Sequence, residues 1–325
     1  MQANAIRGNI LGEVIGAAPV MIFAVLLIYI GMNAPNFLTL INLKLILMQS
    51  LPIVLVCVGL SAVVMAGGDD AVSGGIDLSI PATCVLCAGI IASTITTGTP
   101  LILAALYALG AALIVGSINA FLVTRVGMTP LLTSLSMFVA VVGVNKVVTQ
   151  SRRINVNNET ILSLRDGSLL GVPLGIWVVG LVVLVGYQLM HRTKWGLNMQ
   201  AVGGSRDAAE ISGLNTNRLF AQSFVIAAVL GFITSFFVIA RGSGISPGVQ
   251  DNLMLEMVLA TFLGAAFSPR RVVTMWGAVL GAVLVAAISI GFKSMGVNVF
   301  WTGLIKGSMI VVVVAMGAIS QRVQR

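Results

Sequence analysis

Long apolar runs separated by short polar joints make up almost the whole chain. They fall at about 14–32, 45–66, 80–95, 101–123 and 131–148, and then at 174–190, 219–240, 253–267, 272–292 and 297–319. The runs are apolar throughout. A β-barrel strand would instead alternate polar and apolar positions, so the pattern predicts helices. A bilayer core takes about 20 residues of helix. Eight of the runs meet that length comfortably, and the third and eighth are short. The expected fold is an all-α integral membrane protein of about ten transmembrane helices in one domain over residues 1–325.

The two short runs share a feature. Each follows a glycine-rich polar stretch, SGGIDLSIP (Ser73–Pro81) before the third and RGSGISPGVQDN (Arg241–Asn252) before the eighth. Broken hydrophobic segments at corresponding places in two halves point to a site built from discontinuous helices. Because five is odd, a 5+5 repeat would be inverted in the membrane; glycine-rich stretches also match one another by chance.

The first stretch carries unusual charge. Of 10 acidic residues in 325, Asp69, Asp70 and Asp77 fall within GGDDAVSGGIDLSIP (Gly67–Pro81). A carboxylate at the centre of a bilayer costs about 2.5–3.5 kcal/mol on insertion scales, so it is expected to face a cavity or a partner. Gly74 and Gly75 permit a sharp bend, while Pro81 suits the first turn of a helix that Asp77 or Ser79 could cap. Two readings of Asp77 stay open: a group on a solute path, or the cap of a broken helix that never meets solute. Asp69 and Asp70 directly follow the second run, where a solvated loop at a helix end accounts for them as well as a pathway does.

Composition supports a membrane protein: 58% hydrophobic, 9% charged, mean hydropathy +1.06, against about 25% charged in soluble domains. The 36 glycines and 6% aromatic content suit helices that approach through small residues. Gly277 and Gly281 form such a pair, for contact within the chain or across a dimer. The net charge of +8 comes from 18 scattered basic residues, with no basic run interleaved with aromatics, which excludes nucleic acid as the expected partner. With a cytoplasmic N-terminus, ten of them lie at inner ends (Arg7, Arg125, Arg192, Lys194, Arg206, Arg218, Arg270, Arg271, Arg322 and Arg325). Seven lie at outer ends, and Lys306 sits inside the last run. That bias puts both termini inside. The first run has no small-residue cleavage site after it and reads as a retained span.

Catalytic chemistry finds little material. The one histidine, His191, ends the sixth run beside Arg192, and Cys57, Cys84 and Cys87 all sit within apolar runs. Paired intramembrane aspartates could hydrolyse peptides, but none of Tyr29, Tyr107 or Tyr187 precedes an aspartate, and Ala66-Gly67-Gly68 precedes Asp69. No phosphate-binding loop is present; GLIKGS at Gly303 lacks the spacing. No cofactor or metal is expected, and any ATP hydrolysis belongs to another polypeptide.

The longest charged connection runs from His191 to Arg218. Ser205 makes a good N-cap, Asp207 sits in the first turn where the helix dipole favours it, and Gly213 suits a left-handed stop. A two-turn exposed helix is expected there.

GGIDLS (Gly74–Ser79), NAFLVTRVGMTPLLTSLSMF (Asn119–Phe138), AVGGSRDAAEISGLN (Ala201–Asn215) and VFWTGLIKG (Val299–Gly307) together resemble the ribose-type permease subunits of bacterial ABC importers for monosaccharides, in order along nearly the whole chain. The resemblance implies a permease of the inner membrane, working with a second permease subunit, two cytoplasmic ATPase subunits that hold the ATP and Mg, and a periplasmic solute-binding protein. It implies that Gly74, Gly75, Asp77 and Ser79 lie on the translocation path; Asp70, which the resemblance does not predict, is a further candidate for that path. The resemblance also implies that Gly203, Gly204, Ser205, Ala208, Ala209, Glu210, Ser212 and Gly213 form the segment that docks on the ATPase, within a cytoplasmic connection of about 192–218. Two departures stand out: the extra aspartates in Gly67–Ser73, and SPRRVVTMWG (Ser268–Gly277) in place of the family's Gly-Gly-x-Gly-Ser loop. The alternatives are an ABC permease for another solute, such as a polyol, a signalling sugar derivative or a branched-chain amino acid, and an ion-coupled secondary transporter in which Asp70 or Asp77 carries a proton or cation.

Overall fold

A computed structural model describes residues 2–68, 74–268 and 272–323. Each of the ten apolar runs lies on its own helix: α1 (Gln2–Asn33), α2 (Leu40–Gly67), α3 (Ile80–Thr96), α4 (Leu101–Phe121), α5 (Pro130–Thr149), α7 (Leu174–Arg192), α10 (Thr216–Gly242), α11 (Val249–Ala265), α12 (Met275–Ser294) and α13 (Val299–Val323). A π-helical turn, Leu122–Val126, extends α4. Three shorter helices are added between them: α6 (Glu159–Asp166), α8 (Lys194–Gly204) and α9 (Arg206–Ile211). Among the described residues six helices are long and apolar enough to cross a membrane, and Ala18–Asn33, Ile80–Thr96 and Trp301–Met316 form shorter apolar stretches. The protein is therefore an all-α, multi-pass membrane protein.

The chain forms two compact units, Met1–Ile53 with Leu255–Arg325, and Val54–Met254. In the first, α1 packs against α12 and α13. Gly291 of α12 lets the Ile30 side chain of α1 approach where a Cβ would overlap it. The pair Gly277 and Gly281 faces the same four-residue spacing on α11, at Gly264 and Ala260. A Cβ on Gly281 would overlap the Ala260 carbonyl oxygen, and one on Gly277 would overlap that of Gly264. The close approach of Gly277 and Gly281 is thus made within the chain.

In the second unit, α3 is surrounded. It packs against α4, α5 and α10, and Ile80 through Gly89 are all buried. Small side chains let it sit there. Ala104, Ala108 and Ala112, one turn apart on α4, have no exposure, and the Cys87 thiol donates to the Ala108 carbonyl at 3.3 Å. Gly116 of α4 meets the Phe224 carbonyl and Ala228 of α10, and Gly231 of α10 meets the Ile80 carbonyl. Leu106, Ile114, Val139 and Leu181 are by contrast exposed, as expected where lipid is the solvent.

One end of this unit carries short paired segments. β1 (Ile154–Asn155) pairs antiparallel with β4 (Gly244–Ile245), and β2 (Ser168–Leu169) with β3 (Val172–Pro173). Gly244, at φ +145°, lies so close to the Ile154 carbonyl that a Cβ would overlap it. Arg153 ties the pairing down by donating to the Gly242 carbonyl at 2.7 Å and the Ser246 hydroxyl at 2.8 Å. The glycine-rich stretch before α11 therefore makes strand pairing, whereas the stretch before α3 is irregular.

Because Gly281 meets backbone rather than a movable side chain, Gly281→Leu should destabilise the folded protein by about 2–3 kcal/mol. Thermal unfolding in detergent measures this, and an unchanged midpoint would contradict the packing described.

Candidate functional site

The break between α2 and α3 is built on glycine. Gly67 ends α2, and Gly68 leaves it at φ +90°, a conformation that suits glycine. The chain returns at Gly75, whose amide donates to the Gly68 carbonyl at 3.0 Å. Gly67 and Gly75 touch backbone to backbone: a Cβ on Gly67 would lie 2.5 Å from the Gly75 Cα, and one on Gly75 would overlap the Val63 carbonyl. Asp69 and Asp70 lie outside the described residues.

Asp77 is 1% exposed. Its Oδ1 accepts from the Ser79 amide at 2.8 Å and the Ser79 hydroxyl at 2.6 Å. The Ser79 oxygen in turn accepts from Asn119 Nδ2 of α4 at 2.7 Å. A directed chain runs Asn119, Ser79, Asp77, and every member is buried. Asp77 thus folds over the amide two residues on, as an aspartate turn, rather than over the first turn of α3. Ser79 occupies the N-cap position with no side-chain cap and Pro81 in the first turn. On the other side, Ser134 of α5 donates to the Ile76 carbonyl at 3.4 Å. Asn119 Oδ1 and Thr133 Oγ1 are buried without a hydrogen-bond partner among the described residues.

The connection between α7 and α10 holds two helices where one is expected. α8 starts at an N-cap, Thr193, and takes Gly203 and Gly204 as its last residues; α9 starts at Ser205, whose hydroxyl accepts from the Ala208 amide at 3.4 Å. Gly213 follows at φ +83°. Ala208, Glu210, Ser212 and Gly213 are exposed, but Ala209 is buried. Glu210 is engaged: its Oε1 accepts from the Thr216 hydroxyl at 2.6 Å and pairs with Arg206 at 3.5 Å, and both hold its carboxyl below the ordinary range. Ile211 is 88% exposed. Its signal in the sequence is an apolar residue at the end of a polar helix.

An ion pair lies in the first unit. Lys306 of α13 donates to Glu256 Oε1 of α11 at 2.6 Å, and each side chain is only 11–12% exposed. The lysine inside the last run was visible; its partner fifty residues earlier was not. Arg270 and Arg271 lie outside the described residues. Among the described residues no three His, Cys, Asp or Glu side chains gather as a metal site.

These features define a class: a polytopic helical membrane protein whose polar groups are turned inward around an interrupted helix. The chain belongs to the family described as branched-chain amino acid transport system / permease component, matching it over residues 42–314. It is similar to the ribose import permease protein of Escherichia coli K12, 27% identical over 89% of each chain. It is likewise similar to the L-arabinose ABC transporter permease protein of Azospirillum brasilense, 28% identical over 95% of this chain and 89% of that one. The fructose import permease protein of Rhizobium meliloti is 28% identical over 75% of this chain and 70% of its own. No solved structure matches.

Two outcomes follow from the hydrogen bonds. Asp77→Asn keeps an Oδ1 acceptor for Ser79 and should cost under about 1 kcal/mol, whereas Asp77→Ala strands buried donors and should cost about 2 kcal/mol. Unfolding midpoints compare them, and equal losses would show that the carboxylate charge, not its acceptor, matters. For the ion pair, Lys306→Met alone should cost about 3–5 kcal/mol by leaving Glu256 unpaired, and adding Glu256→Gln should recover most of it. A double variant as unstable as the single one would refute the pairing.

Proposed function

We propose that this chain is the membrane-spanning permease subunit of a bacterial ABC importer that passes a monosaccharide or related polyol across the inner membrane. The observation that carries the reading is family membership over residues 42–314, joined to relatives along most of the chain whose names specify ribose, arabinose and fructose. Ten spans, two fivefold halves inverted about the broken α3 and α11, and both termini in the cytoplasm complete the proposed topology. The chain has no catalytic site of its own in this reading. ATP and Mg belong to ATPase partners, a second permease subunit completes the pore, and a periplasmic protein delivers the solute.

The route then runs by the glycine backbone at Gly74 and Gly75. Asp77 supports it from behind: its carboxylate is committed to Ser79 and thereby to Asn119, so it fixes where α3 begins. Gly74 to Asp77 are buried in this structure, so the backbone donors and acceptors of this stretch would meet a sugar's hydroxyls in another state of the transport cycle. Weak, shape-dependent contact suits a path that must release what it takes up.

α9 is the proposed ATPase-docking element. Its exposed face combines Asp207, Ala208 and Ile211, while Ala209 packs inward and Glu210 is held by Thr216. Ile211 is the apolar centre such a contact needs.

Ile211→Arg should therefore abolish co-purification of the ATPase while the permease stays folded in the membrane, because the side chain replaced touches little else. Vesicles carrying the complete system should accumulate labelled ribose, arabinose or fructose with ATP and lose this with the variant. Uptake that proceeds without any ATPase subunit would overturn the reading.

A further inference from the structure

We infer that Gly203, the penultimate residue of α8, is a positioning residue through which the α8–α9 segment sets the geometry of the break between α2 and α3. The inference rests on the ABC reading above and adds to it a specific mechanical connection.

Three contacts carry it, all within the compact unit Val54–Met254. First, Gly203 lies against the last turn of α2. A Cβ there would overlap the Met65 carbonyl oxygen and come within 3.2 Å of the Gly68 amide nitrogen, and a Cβ on Gly68 would lie 3.1 Å from the Gly203 carbonyl. Second, Gly67 is also met by Phe220 of α10, whose Cε2 would lie 2.6 Å from an added Cβ. Third, Gly67 and Gly68 hold the returning chain at Gly75, by direct contact and by the 3.0 Å hydrogen bond. Asp77 follows two residues later.

Backbone meets backbone where Gly203 touches α2 and where Gly67 touches Gly75, while Phe220 meets Gly67 with its ring. A side chain at such a place could turn to another rotamer and absorb a shift, but a packed backbone passes the shift on. α9 feeds the same point by a second route. Glu210 accepts from Thr216, and Arg206 donates to Asn217 at 2.5 Å, so the start of α10, and with it Phe220, moves with α9. A displacement of α8–α9 reaches Gly67 and Gly68 by two routes, through Gly203 and through Phe220, and from there Gly75. Gly180 of α7 supplies the control: nothing lies within 4 Å of a Cβ placed there.

The test uses the full transporter, with its ATPase subunits and binding protein, in vesicles. Each complex is isolated through its ATPase before assay, and Gly203→Ala is scored on the solute it moves per ATP hydrolysed, so that a loss of docking is counted apart from a loss of coupling. Solute moved per ATP hydrolysed should fall by about tenfold, the size of a typical coupling between sites. Gly180→Ala should match the wild type. Equal transport by the two variants would overturn the inference. Hydrogen exchange on the wild-type complex, with and without ATP, does not depend on the variant folding: amides at 63–68 and 74–79 should change together with those at 196–205. A change at 196–205 alone would also overturn it. Wild-type protein that never binds an ATPase would refute the ABC reading itself, a result distinct from an ATP-driven transporter indifferent to Gly203→Ala.

Discussion

A backbone that leaves the helical conformation inside a membrane must find its hydrogen bonds within the protein, because lipid offers none. Gly68 and the residues from Gly74 to Ser79 are where this chain meets that constraint. Gly75 returns its amide to the Gly68 carbonyl, Asp77 takes the Ser79 amide, and Ser134 reaches the Ile76 carbonyl. Each bond needs a neighbour at close range. That demand explains why α3, only 17 residues long, is surrounded by α4, α5 and α10 rather than standing against lipid.

Small residues make the enclosure feasible. Ala104, Ala108 and Ala112 on α4, Gly116 after them and Gly231 on α10 bring neighbouring backbones to the distances at which dispersion and weak polar contacts act. The same device recurs in the first unit, where Gly277 and Gly281 meet Ala260 and Gly264. With lipid outside, burying large apolar side chains brings no hydrophobic gain, so close packing and internal polar bonds must hold the helices together.

Charge is used sparingly and inwardly. Glu256 and Lys306 pair across α11 and α13, and Asp77 is enclosed by hydroxyl and amide donors. Where charges are exposed, as on α9, they organise the helix surface: Arg206 and Glu210 bind the start of α10 and leave Ile211 outward. A helix held at its base and bare at its tip is suited to transmit a force as well as to receive a partner.

Local features were legible in the sequence. Each apolar run became a helix, the glycines before the third run marked the break, and Ser205 and Gly213 marked the ends of α9, because helical period and capping are fixed by residues a few positions apart. What depended on distant residues was not. Ile154 pairs with Ile245, Asn119 with Ser79, and Lys306 with Glu256, and no local pattern announces such partners. The inward turn of Ala209, the division of the α7–α10 connection into α8 and α9, and the seat of Gly203 on Met65 were likewise decided only when particular helix faces met. Sequence determined which segments become apolar helices and where they break; tertiary structure determined which faces meet, because steric fit between backbones is a property of the pair and not of either segment alone.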